Sequence, residues 1–179
     1  MSSVDTYFLP PTTHAPNSLL PVIHYRNVLP HPLSEEGVTE FLTANKWEKR
    51  GTWGHIPIRH FHPNSHECYG IFQGSSKLLL GVGESDESGG LELSVQAGDV
   101  IVLPAGTAHS CAVSSSDYRY IGVYPEGCPR WRNVMGSKPI DLVALRKESG
   151  VVGMPEEDPV YGAGGPLIKL WKVEEKARL

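Results

Sequence analysis

The chain has 179 residues, a formal net charge of -4, 40% hydrophobic residues and 20% charged ones. That balance describes one soluble globular domain, large enough to bury its core without disulfide staples. It excludes the basic footprint of a nucleic-acid binder, and no run of 18 or more apolar residues is present for a membrane span.

Residues 1 to about 33 read as an extended arm, with recurring proline (Pro10, Pro11, Pro16, Pro21, Pro30, Pro32) and an apolar piece at Leu19-Leu20-Pro21-Val22-Ile23. No basic region followed by a long apolar run opens the chain, so no secretory signal is expected. A helix is expected over 34–46. Ser34 can cap it, Glu35 and Glu36 suit the positive end of its dipole, and Val38, Phe41 and Leu42 recur at helical spacing.

From Trp53 to Tyr124 the pattern turns to short β-type segments, expected at 55–62, 67–73, 77–83, 91–95, 99–103, 109–113 and 118–124. Polar turns separate them at 85–90 and 96–99. No β-α-β alternation occurs, which argues against a parallel doubly wound sheet. Beyond lie a short helix expected at 141–147, a Pro/Gly-rich coil, and the apolar stretch Leu167-Ile168-Lys169-Leu170-Trp171. The last three residues, Ala177-Arg178-Leu179, are similar to a peroxisomal address of the small-basic-leucine type. Cys68, Cys111 and Cys128 form no CxxC pair and are odd in number, so a reducing, cytoplasmic compartment is the expectation.

His60, His62 and His66 lie within seven residues and are followed at once by Glu67, with His109 further on. On a strand over 55–62, His60 and His62 share a face, because strand side chains alternate with period two. Two imidazoles so placed make a pincer for a metal, and imidazole suits Zn, Cu, Fe and Ni. A carboxylate on the next strand can supply a third ligand and a distant histidine a fourth. His66 should diverge from Glu67 and sit behind the ligands or at the surface. Tyr69 shares parity with Glu67 and reads equally as a hydrogen-bond donor in the cavity or as core packing. Arg59 should face away. Tyr118, Tyr120 and Tyr124 read as packing or dimer-contact residues, and Cys68 and Cys111 as small buried fillers.

The spacing carries a resemblance. Gly54, five residues, His60-x-His62, four residues, Glu67, six residues and Gly74 match the first cupin motif. Gly98, five residues, Pro104-x-Gly106, two residues and His109 are similar to the second, with Val113 where asparagine is often found. Further phrases resemble the YjlB-like group of small cupins: His62-Pro63-Asn64-Ser65-His66-Glu67, Tyr124-Pro125-Glu126-Gly127, and Asp158-Pro159-Val160-Tyr161-Gly162 with Gly165-Pro166-Leu167.

The resemblance implies an all-β fold, a double-stranded β-helix or jelly roll. Residues 1–50 would pack on it as arm and short helix, 51–126 would form the barrel with the metal site, and 127–179 would be a packing extension. It also implies one divalent transition metal (Fe, Mn, Ni, Cu or Zn) held by His60, His62, Glu67 and His109. Glu67 and Tyr69 are the candidate catalytic residues. The expected function is a metal-dependent enzyme that chelates a small oxygenated metabolite, as a lyase, decarboxylase or isomerase, or as a dioxygenase. The alternative is a non-catalytic metal- or ligand-binding cupin. A homodimer is expected, since sheet edges and the arm need cover.

Overall fold

The computed structural model describes residues 4–176, and side chains as far as residue 172. The address tripeptide 177–179 therefore lies outside the described residues. Two antiparallel sheets make the fold. The larger contains β1 (Val4–Tyr7), β2 (Val22–Tyr25), β3 (Trp47–Trp53), β4 (Glu67–Gln73), β7 (Val100–Leu103) and β9 (Arg119–Pro125), in the order β1-β2-β7-β4-β9-β3. The smaller contains β5 (Ser75–Leu80), β6 (Leu91–Gln96) and β8 (His109–Ser114), in the order β6-β5-β8.

The sheets face each other across a core of Ile71, Leu78, Leu80, Leu93, Val95, Ile101, Leu103 and Tyr120, to which both contribute. This is the expected jelly roll. The larger sheet is buried on its other face too. There Cys68, Val100, Val102, Ile121 and Val123 meet Val38 and Leu42 of α1 (Glu35–Thr43), and Leu167, Ile168 and Trp171 of α3 (Pro166–Lys176). Burial on both sides explains why β7 is apolar at every position, whereas β5 and β6 alternate. Gly70 allows α1 its close approach: a Cβ there would lie 2.6 Å from Leu42 and 2.7 Å from Val38.

Ser34 caps α1 as expected, accepting from the Gly37 N–H at 3.1 Å. The helix stops at Thr43, short of residue 46, because Lys46 turns to φ 62° on the way into β3. α2 (Leu142–Gly150) starts where expected, with Asp141 accepting from the Ala144 N–H at 2.9 Å.

Two expectations need correcting. The arm does not merely cover the barrel, since its β1 and β2 pair into the sheet beside β7. The segment 55–62 is not a strand. Pro57 has no N–H to give a ladder, and only single bridges at His60 and Phe61 hold the segment. The segment from Leu167 to Trp171 belongs to a helix, whose Trp171 indole donates to the Pro21 carbonyl at 3.0 Å. No helix among the described residues is long and apolar enough to cross a membrane. All three cysteines are free thiols.

Candidate metal centre

His109 opens β8 and Glu67 opens β4, so the beginnings of one strand from each sheet meet at one end of the barrel. His60 and His62 join them from the irregular segment between β3 and β4. Reciprocal backbone bonds link His60 to His109, at 3.2 and 2.9 Å. Phe61 is bonded the same way to Val134 and buries its ring among Ala15 and Ala108. The Gly106 N–H, at a residue with φ 86°, fixes the His62 carbonyl at 2.8 Å. Alternation therefore survives without a strand, and both histidines point inward.

One ring nitrogen from each of His60, His62 and His109 lies within 4.8 Å of the other two. Oε2 of Glu67 is 3.1 Å from Nε2 of His62 and 3.3 Å from Nε2 of His109. His62, Glu67 and His109 are each at most 4% exposed.

The outer ring nitrogens decide the tautomers. Nδ1 of His60 meets the Ile58 carbonyl at 2.7 Å, Nδ1 of His62 the Arg132 carbonyl at 3.2 Å, and Nδ1 of His109 the Thr107 carbonyl at 2.9 Å. A carbonyl only accepts, so each Nδ1 carries a proton, and a ring in its neutral form would turn an Nε2 lone pair inward. Nε2 of His109 is buried with no hydrogen-bond partner. Such lone pairs would repel a carboxylate oxygen little more than 3 Å away, and a cation between them, a metal ion or a ring proton, removes the repulsion. The donor set thus fits a divalent metal, with backbone carbonyls orienting the imidazoles.

Burial, with His109 and His62 close by, pushes His60 down to about 3, so it stays neutral. Burial alone would raise the Glu67 carboxyl, but its contacts with His109 and His62 outweigh that and hold it well below the usual carboxylate range. The carboxylate is further fixed by the Tyr124 hydroxyl, which donates to Oε1 at 2.5 Å.

His66 lies elsewhere. It is buried on the outer face of the sheet beside Trp171, ring centroids 4.8 Å apart, and its Nδ1 accepts from the Ala105 N–H at 2.9 Å. Tyr69 lines the cavity and packs on Tyr120, with its ring centroid 6.1 Å from that of His109.

Tyr124 was read from sequence as packing, yet it holds the carboxylate. The β4–β9 register, in which Cys68 opposes Val123, sets Glu67 across from Tyr124. Trp131 gave no signal. It stacks on Tyr124 at 4.9 Å and 9° from the turn region after β9, a contact that no periodicity announces. Together these groups wall a cavity of about 200 Å³ that reaches the histidines.

No family model matches the chain. It is 29% identical over 169 residues to the uncharacterized protein YjlB of Bacillus subtilis (strain 168), covering 93% of this chain and 96% of that protein. Among solved structures it is similar to RmlC from Streptococcus suis in complex with dTDP-D-xylose (17% identity, 92% of this chain and 96% of that one, TM-score 0.39). It is also similar to a predicted oxalate decarboxylase from Thermotoga maritima (18%, 70% and 93%, TM-score 0.35). In its motif spacing, its two-sheet barrel and its likeness to this relative, the chain resembles the small YjlB-like cupins.

Proposed function

We propose that His60, His62, Glu67 and His109 hold one divalent transition metal, and that the protein is a metal-dependent cupin enzyme acting on a small oxygenated metabolite. The observation that carries this reading is the cluster itself: three imidazoles pinned through Nδ1 to carbonyls and gathered within 4.8 Å, with the Nε2 atoms of His62 and His109 against one buried carboxylate. Imidazole and carboxylate donors suit Fe, Mn, Ni, Cu and Zn alike.

Four protein ligands leave coordination open on a metal that accepts more, and a catalytic site needs such an opening. When bound, the metal supplies Lewis acidity toward a substrate oxygen. The chain supplies the rest. Tyr124 fixes Glu67, and aromatic rings wall the cavity beside it. Glu67 would offer Oε2 as a proton acceptor toward substrate. Lyase, decarboxylase or isomerase chemistry and dioxygen chemistry all remain within this reading. We also infer a homodimer, since β1 and β3 end the larger sheet as edges; light scattering at micromolar concentration tests it.

A screen of metal-loaded protein tests the enzyme reading. Oxygen uptake and carbon dioxide release are followed with catechols, diketones and keto acids. Turnover that disappears with His62→Ala is expected. Full metal occupancy with no turnover and only saturable binding would favour the non-catalytic alternative.

A further inference from the structure

The cavity at the candidate metal centre is built for a flat, mostly apolar body. Five aromatic side chains line it: Trp53, Tyr69, Tyr120, Tyr124 and Trp131. Trp131 stands edge-on to Trp53, ring centroids 5.9 Å apart at 89°. Ile56, Ile58 and Met135 complete the apolar wall, and Asn133 is the one amide among the described lining residues. A hydrophobic cavity on the order of 150 Å³ takes up a benzene-sized ring, so about 200 Å³ admits one ring with small substituents.

Charge narrows the choice. No lysine or arginine is among the described lining residues. The guanidinium of Arg50 lies 5.4 Å from the Tyr124 centroid and that of Arg130 lies 5.6 Å from the Trp131 centroid, and neither lines the cavity. Arg50 is also bonded to Glu48 and to the Pro129 carbonyl. A divalent metal with one carboxylate ligand keeps one net positive charge, which a single negative charge on the ligand balances. A dianion would leave a buried negative charge with no partner, which is costly. A polyol would bring several hydroxyls to a wall with few polar groups to bond them.

We infer that the site takes a planar, single-ring-sized ligand that offers two oxygens to the metal and carries one negative charge, such as an enolised dicarbonyl or hydroxy-enone. This rests on the proposed metal reading and narrows it to a substrate class. The apolar body packs among the Trp131, Trp53 and Tyr120 rings while the oxygens face the histidines.

The test uses zinc-loaded full-length protein, with tropolone as the planar monoanion and oxalate as the small dianion. Binding is read by tryptophan fluorescence, and metal retention by desalting and elemental analysis. Tropolone is expected to bind at least about tenfold tighter than oxalate, and Trp131→Ala to weaken tropolone by about tenfold with zinc content unchanged. Ile58→Lys, at a residue 55% exposed, places an ammonium at the cavity without disturbing the core, and should narrow the gap by strengthening oxalate. Zinc retained with oxalate bound as tightly as tropolone, or with neither bound, overturns this inference and leaves the metal reading standing. Failure to retain zinc or any other divalent transition metal overturns the metal reading and this inference with it.

Discussion

Tyr124 donates a 2.5 Å hydrogen bond to one oxygen of Glu67, and the other oxygen faces His62 and His109 at 3.1 and 3.3 Å. The phenol therefore sets which oxygen a metal would meet. Tyr124→Phe keeps the ring that stacks on Trp131 and removes only the donor. We expect metal affinity to fall by roughly tenfold or more, with one metal per chain still bound at saturation. Competition against a chelator of known affinity measures it; unchanged affinity would remove Tyr124 from the site.

Glu67 and His66 are adjacent in sequence and lie on opposite faces of the sheet. Glu67→Gln should weaken metal binding strongly and change the coordination spectrum of a cobalt-substituted sample. His66→Ala should leave metal stoichiometry intact and lower stability instead, because the Ala105 N–H loses its acceptor beside Trp171. The reverse pattern, a metal-free His66→Ala and a normal Glu67→Gln, would show that the carboxylate is not a ligand.

Asp99 ties the arm to the barrel. It accepts from the Asn27 N–H at 2.8 Å and the Gln96 N–H at 3.1 Å, and lies 3.0 Å from Nε2 of buried His24. Burial would raise its carboxyl, but bonds to His24, Asn27 and Gln96 outweigh that and lower it. Its stabilisation is therefore present above the unfolded value of about 3.9 and is lost as pH falls through the lower folded value. Asp99→Asn should cost about 2–3 kcal/mol at pH 7 and flatten the loss of stability below pH 4. Urea unfolding across pH checks both; equal slopes in mutant and wild type would contradict it.

Much of the fold could be read from sequence, for physical reasons. The expected strand at 67–73 matches β4 at both ends, and the strands from β5 to β9 fall within a few residues of expectation, because turns such as the one at Gly98 punctuate them. What escaped was set by partners distant in the chain. β3 (Trp47–Trp53) is charged and interrupted by Gly51, and becomes a strand only by pairing with β9. β2 hides in a proline-rich arm until β7 supplies its ladder. The four candidate ligands were named from spacing, and the structure brings them together. The supporting groups were not, because the Tyr124–Glu67 hydrogen bond and the Trp131–Tyr124 stack join residues distant in the chain.

Elemental analysis of protein purified without added metal tests the central claim most directly. The account predicts close to one equivalent of divalent transition metal per chain in the wild type, and almost none in a His60→Ala/His62→Ala double variant that keeps its fold by circular dichroism. Wild-type protein that carries no metal, and that gains neither metal nor thermal stability from added manganese, iron, nickel, copper or zinc, would contradict it.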